Sequence, residues 1–338
     1  HSINYTRTKG GARLLYDYLS APLVEIAKIN SRLAITNFFF NNIQLTLNIR
    51  KILTKVSDLE RCLTRIQMQR GSPRDLLSIR DAILIAEEIR SYFIADNGID
   101  LPENIEKLVA PLIGNSELAN LIGESIREDA PNIITEGEVV KAEFHPKIKE
   151  LQELINNSRG FIDKLKDKYR QETGIDSLKI SSNNVIGLFI DITARNSGKI
   201  TDKKFIHKQT TVNSIRYTTE ELQEIESRML NAKVMLVGLE KEVYIDICNS
   251  VIDNTKKLNL LSYAINRLDV FLNFAFIADE FEYCSPILTN DINFDVQHGR
   301  HPVVEKFLKS NNESFTSNDC TLNSEERNKI ESLLSDKY

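Results

Sequence analysis

The chain has 338 residues, with 43 Lys+Arg against 48 Asp+Glu and a formal net charge of −5. That length predicts two or three domains, and a content of 41% hydrophobic and 27% charged residues excludes global disorder. The net charge excludes a protein that coats nucleic acid over its whole surface, but not a local basic patch on an acidic body. Only 13 Gly and 8 Pro interrupt the chain, which predicts mostly helix. The most apolar stretch, Val270 to Ala278, is broken by Asn273 and falls short of the roughly 18–20 residues that span a bilayer, so no membrane partner is expected. No signal peptide is read at the start, where Arg7, Lys9 and Arg13 precede no long apolar run. The opening His-Ser, without Met, reads as a fragment or a tag remnant. Cys62, Cys248, Cys284 and Cys320 are far apart, which predicts free thiols in a reducing cytoplasm and no CxxC site.

In chain order, residues 1–145 read as a series of short helices. Arg13 to Leu19 is amphipathic and stops near Pro22. Ser57 to Arg61 looks like a cap and first turn, followed by an apolar stripe of Leu59, Leu63 and Ile66. Ser72-Pro73 repeats the signal, with Ser as N-cap and Pro at the first helical position, ahead of Leu76, Ile79, Ile83 and Ala86. The stretches 96–104 and 129–137 read as loops. From Pro146 the apolar positions Ile148, Leu151, Ile155, Ser158, Ile162, Leu165 and Tyr169 step by three and four, with a polar interruption at Ser158. Leu222, Ile225, Met229, Ala232, Leu236, Leu239 and Val243 repeat the pattern. Two matching heptad helices predict an antiparallel arm of about 40 Å at 1.5 Å per residue, or two ordinary core helices that use the same stripe. Between them, Leu188, Ile190 and Ile192 alternate with Phe189, Asp191 and Thr193, a strand period that Leu178 and Ile180 begin. Gly174, Gly187 and Asn196-Ser197-Gly198 mark turns.

The charge is uneven. Residues 195–216 hold six cations (Arg195, Lys199, Lys203, Lys204, Lys208 and Arg216) against one acid, Asp202. Asn196, Ser197, Gln209, Asn213 and other small polar residues lie among them. That mixture suits phosphate oxygens. Phe205 and Tyr217 are too few for a base-stacking platform, so the chemistry points to salt-dependent backbone contact without sequence readout. A solvated basic loop would carry the same residues.

Autonomous catalysis finds little support. His298 and His301 with Glu305 lack HExxH spacing, and Pro302 breaks a helix that would align them, so no metal site is expected. The chain has no GxxxxGK[ST], GxSxG or GxGxxG motif. His145 and His207 have no evident nucleophile partner, and the adjacent pairs Glu87-Glu88 and Glu220-Glu221 point to different helix faces.

Several segments taken together resemble a known family. Asn4-Tyr5-Thr6-Arg7-Thr8, Gly11-Ala12-Arg13-Leu14-Leu15 and Pro22-Leu23 are similar to an N-x-T-x-T-x-x-G-x-R-L-L…P-L pattern. Asp58-Leu59-Glu60-Arg61 with Arg65-Ile66 is similar to D-L-E-R…R-I. Thr173 to Lys179 and Asn183 to Gly187 resemble the start of a clamp, and Lys208-Gln209-Thr210, Asn213 and Arg216-Tyr217 resemble R-Q-T-x-x-N-x-x-R-Y. Gly299-Arg300-His301-Pro302-Val303-Val304-Glu305 resembles G-R-H-P-V-V-E. In this order, over nearly the whole chain, the motifs resemble the bacterial MutS family of DNA mismatch repair proteins. Leu188-Phe189 departs from the aromatics that family often carries there.

The resemblance implies a mainly α fold: a helical core with two long antiparallel lever helices carrying a small β-rich clamp at the tip. The implied layout is a core at 1–145, a first lever at 146–173, a clamp at 174–217, a second lever and return to the core at 218–285, and the truncated start of an ATPase domain at 286–338. Duplex DNA, mismatched in the intact protein, is the implied partner, with a homodimer and other mismatch repair proteins beside it in the cytoplasm. The phosphate-contact residues expected are Asn183, Asn184, Arg195, Asn196, Ser197, Lys199, Lys203, Lys208, Gln209, Asn213 and Arg216. Asp58, Glu60, Arg61 and Arg65 are expected to be structural. The family's Phe-x-Glu mismatch reader is absent, and a Walker A loop does not follow Glu326-Arg327. No enzyme activity and no cofactor are therefore expected of this chain, although the intact family protein is an ATPase that uses ATP and Mg. Phe315 resembles the aromatic that packs near the adenine. A coiled-coil protein-interaction module with a basic tip, or a degenerate fragment inactive alone, are the alternatives.

Overall fold

The computed structural model describes residues 2–94, 101–183, 185–291 and 293–322. In chain order its elements are helices α1 (Lys9–Ser20), α2 (Ile26–Asn41), α3 (Ile43–Leu53), α4 (Leu59–Gln67), α5 (Pro73–Ile94), α6 (Glu103–Val109), α7 (Ser116–Ser125) and α8 (Pro146–Thr173). Strands β1 (Lys179–Asn183), β2 (Gly187–Thr193), β3 (Ile206–Thr210) and β4 (Ser214–Thr218) follow. Helices α9 (Glu220–Asp253) and α10 (Thr255–Glu280), strand β5 (Phe294–Gly299), helix α11 (Pro302–Ser310) and strand β6 (Asn318–Leu322) complete the order. The fold is mainly α with small antiparallel sheets, as the scarcity of breakers predicts. Not all N-terminal helices are short, since α5 runs 22 residues, and α6 begins inside the stretch read as a loop.

The chain divides into two compact units, one of His1–Thr64, Ser78–Ala119 and Asn254–Tyr338, the other of Arg65–Leu77 and Asn120–Asp253. In the first, α10 packs against α1, α2 and α3 and buries Leu258, Leu261, Ile265, Leu268, Phe271 and Leu272. Contrary to the reading from apolar runs, α10 is long and apolar enough to cross a membrane by length and composition. Most of its apolar window is buried inside the fold, and it also buries Ser262, Asn266, Asp269 and Asn273, a polar stripe at helical spacing.

That stripe explains the N-terminal motif. Tyr5 N–H donates to Asn273 Oδ1 at 2.7 Å. Arg7 N–H, Thr8 N–H and the Thr8 hydroxyl donate to the Asp269 carboxylate. Thr8 Oγ1 also caps α1 by accepting from Gly11 N–H at 2.9 Å. The side chains of Asn266 and Asp269 occupy the places where Cβ atoms at Gly10 and Gly11 would lie, so both glycines are required by close approach. Asp269 is fully buried, and burial pushes its carboxyl above the ordinary value despite these donors. Arg13 forks onto Asp58 at 2.8 and 2.9 Å, and Asn266 Nδ2 donates to Glu60 Oε1.

In the second unit, Ser72 and Asp75 form a reciprocal cap at the start of α5: Ser72 N–H donates to Asp75 Oδ2 at 2.9 Å and Asp75 N–H to Ser72 Oγ at 3.3 Å. The Arg65 guanidinium pairs with the same carboxylate. Burial alone would raise the Asp75 carboxyl, but Arg65 and Ser72 hold it below its ordinary value. The helices α8 and α9 pack on each other and bury Ile148, Leu151, Ile155, Ser158 and Tyr169 against Leu222, Ala232, Leu236 and Val243. Their lengths are 28 and 34 residues rather than equal. His145 caps α8, its side chain accepting from Lys147 N–H, and Gly174 ends the helix with φ +61°, a left-handed cap.

Glu240, in the middle of α9, is fully buried and accepts from Val139 and Val140 N–H, each at 3.2 Å. Burial raises its carboxyl above the ordinary 4.5. The folded state therefore takes up a proton that the unfolded chain releases, and stability falls as pH rises from 4.5 through the raised value. Glu240→Gln is expected to flatten that part of the pH profile, measured as urea midpoints; an unchanged slope refutes it.

Candidate nucleic-acid interface

Strands β1–β4 form one antiparallel sheet in the order β1-β2-β4-β3. Its inner face seats Ile190 and Ile192 against Tyr169, Ile175, Leu178, Phe205 and Leu222, so the ends of α8 and α9 form its floor. Two glycine-dependent contacts hold the β1–β2 hairpin. Gly187 has φ +73° and faces the Glu226 carboxylate where a Cβ would stand, and Leu188 N–H donates to Glu226 Oε1 at 2.8 Å. The Tyr169 hydroxyl contacts Thr219 at 2.8 Å and donates to Glu221 at 3.0 Å.

The six cations of residues 195–216 take three different roles. Two serve the end of α8. Lys199 Nζ donates to the Gly174 carbonyl at 3.2 Å, and Lys204 Nζ pairs with Glu172 at 2.6 Å, the favourable sign at a helix C-terminus. Arg216 is engaged within the sheet. The register aligns Lys179, Asp191, Arg216 and Gln209 in one cross-strand row on the outer face. Arg216 donates to Gln209 Oε1 at 2.7 Å, lies 3.8 Å from Asp191 and covers the Phe189 ring at 4.4 Å. Phe189 is thereby buried on a face that alternation alone leaves polar. Arg195, Lys203 and Lys208 are exposed, and their side chains have no ion-pair partner among the described residues. Lys208 is the extra residue of a bulge, since His207 pairs with Tyr217 and Gln209 with Arg216, a device that re-aims a side chain out of the ladder.

The polar candidates divide the same way. Asn183 Oδ1 accepts from Val185 and Ile186 N–H, making the hairpin turn. Asn196 Nδ2 donates to Thr193 and Ser177, and Ser197 Oγ to the Ala194 carbonyl. Asn213 is exposed at the β3–β4 turn, where its carbonyl accepts from Ala194 N–H. Asn184 lies outside the described residues. Lys179, exposed beside Asp191, was not among the predicted contacts. Its only sequence signal is alternation with Ile180, and strand register is needed to align it with Arg216.

The other chemical candidates take structural places. His301 caps α11 with Nδ1, and Pro302 occupies the first helical position, starting that helix rather than breaking it. Arg300 pairs with Glu305 at 3.0 Å and donates to the carbonyls of Phe281 and Glu282. Among the described residues no cluster of three His, Cys, Asp or Glu could hold a metal ion. Phe315 is half-buried within residues 313–319.

Comparison with known proteins decides the family. A family model for MutS domain III matches residues 1–275. The chain belongs to the MutS family. It is 57% identical over 327 residues to the DNA mismatch repair protein MutS of Rickettsia felis, covering 97% of this chain and 37% of that relative. It is 56% identical over 326 residues to that of Rickettsia rickettsii and 55% to that of Rickettsia canadensis, each over 96% of this chain and 37% of the relative. The chain thus spans about 37% of the length of these curated relatives. In MutS-family terms, the signature around Asp58 and Arg65 makes the ion pairs described above, and the N-terminal motif holds α10.

Proposed function

We propose that residues 174–217 are a clamp that holds duplex DNA through its phosphates without sequence preference, carried by α8 and α9 as levers. The observation that supports this most is the set of exposed, unpaired cations Arg195, Lys203 and Lys208 in the connections and bulge of a sheet that engages Lys199, Lys204 and Arg216 internally. Lysine and arginine that bind phosphates release condensed counterions, so binding is steeply salt-dependent. Membership of the MutS family supports the wider reading. In the intact protein the DNA is mismatched, the protein is a cytoplasmic homodimer that acts with other mismatch repair proteins, and an ATPase domain using ATP and Mg signals to the clamp through the levers. Residues 286–338 are read as the start of that domain.

The test is an anisotropy titration of the chain against a random-sequence duplex across salt concentrations. Binding with a steep negative log–log slope, equal for unrelated sequences, supports the clamp. Binding only to an acidic protein partner would support the interaction-module reading instead.

A further inference from the structure

We propose that the second unit binds an aliphatic carboxylate of about twelve carbons in the cavity between α9 and residues 66–71. The cavity measures about 410 Å³, within the range of sites for small ligands. One wall is a single face of α9. Lys241, Tyr244, Ile245, Cys248, Asn249 and Ile252 line it, at steps of three, one, three, one and three. Ile66, Gln69, Gly71 and Ile134 close the other side. All of these residues belong to the unit of Arg65–Leu77 and Asn120–Asp253.

The wall opposite α9 is built without a ligand. Gln69 takes a left-handed φ of +54°. Its N–H donates to the Ile66 carbonyl at 3.0 Å, and Arg70 N–H donates to the Arg65 carbonyl at 2.8 Å. The Ile66 side chain occupies the place where a Cβ at Gly71 would stand, so only glycine lets the chain fold back onto it. The reciprocal cap of Ser72 and Asp75 follows directly. The α9 side is neutral. The Tyr244 hydroxyl and the Cys248 thiol hydrogen-bond each other, and burial pushes both above their ordinary values. A cavity held in this way loses little freedom when it is filled.

The rim selects the head group. Gln69, Lys241 and Asn249 are exposed, and their side chains have no hydrogen-bond or ion-pair partner among the described residues. Lys241 also has no acid at its helical neighbour positions, which hold Val237, Gly238, Tyr244 and Ile245. An ammonium and two amides around an apolar cavity match an anionic, hydrogen-bond-accepting head on an apolar tail. A single cation suits a carboxylate rather than a phosphate, which carries nearly two charges. Ile66, Ile134, Ile245 and Ile252 supply the surface for the tail. Lys241 and Ile252 are eleven residues apart, roughly 16 Å along the helix axis, so an elongated chain fits. A cavity of roughly 150 Å³ holds a benzene ring, so one of about 410 Å³ takes on the order of twelve to sixteen carbons.

The test titrates the whole chain with laurate, below the concentration at which laurate forms micelles, and follows binding by calorimetry. No DNA is present, so the result stands apart from the DNA-binding reading. The expected result is saturable binding of one laurate per chain. Lys241→Gln is expected to weaken it about three- to fivefold, the worth of an exposed charge pair, and to leave dodecanol binding unchanged. Ile245→Trp places a larger ring over the cavity from a position that is already exposed. It is expected to weaken both ligands at least about tenfold with the melting temperature retained. Laurate at about ten times its Kd is expected to slow iodoacetamide modification of Cys248 about tenfold, because only the free protein reacts. Modification of the exposed Cys284 and Cys320 is expected to stay the same. Mass spectrometry of the peptides reads all three. Absence of saturable binding, binding untouched by both variants, or an unprotected Cys248 overturns the site.

Discussion

Arg195→Ala/Lys203→Ala/Lys208→Ala is expected to weaken binding of a random duplex by about 10²–10³-fold at 0.1 M salt and to flatten the log–log salt slope by about 2.7 units, at roughly 0.9 per lost phosphate contact. The three side chains are exposed and unpaired, so circular dichroism and melting temperature should match the unsubstituted chain. An unchanged slope refutes the clamp reading. Arg216 belongs in a separate measurement. Its guanidinium covers Phe189 and bonds Gln209, so Arg216→Ala uncovers an aromatic ring and removes a cross-strand bond. Any affinity lost in that variant mixes sheet damage with a missing cation, and a double-mutant cycle with Gln209→Ala separates the two.

Asp269→Ala is expected to destabilise the first unit by about 3–5 kcal/mol, the range for breaking a buried charged network. Arg7 N–H, Thr8 N–H and the Thr8 hydroxyl all lose their acceptor at a fully buried site. Thr8 also caps α1, so the loss should spread to the start of that helix. Urea denaturation measures the loss, and hydrogen exchange at residues 5–12 locates it. A cost below about 1 kcal/mol would mean that the N-terminal segment is not held by this carboxylate. Gly11→Ala probes the same contact from the other side, because the added methyl meets the Asp269 carboxylate.

Much of this was legible in the residues. The cap at Ser72, the turns at Gly174 and Gly187 and the heptads of α8 and α9 all depend on neighbours within one or two turns. Local signals of that kind survive in a one-dimensional pattern. The apolar spacing also exposed Ser158 as the irregular position in its seam. Asn266, Asp269 and Asn273 were not legible, because polar residues in an apolar helix read as its solvent face. The partners of Asp269 and Asn273 at residues 5, 7 and 8 lie more than 250 positions away, and Glu60, the partner of Asn266, lies 206 away.

The sequence by itself therefore determined the helical class, the two heptad helices with a β insert between them, the family and the concentration of positive charge in 22 residues. Only the tertiary structure decided which of those charges face solvent. Six cations look equivalent along the chain, but strand register, a helix C-terminus and one aromatic ring engage Lys199, Lys204 and Arg216 and leave Arg195, Lys203 and Lys208 unpaired. Charge is a property of the residue, whereas its availability depends on which acceptors the fold brings within about 3 Å.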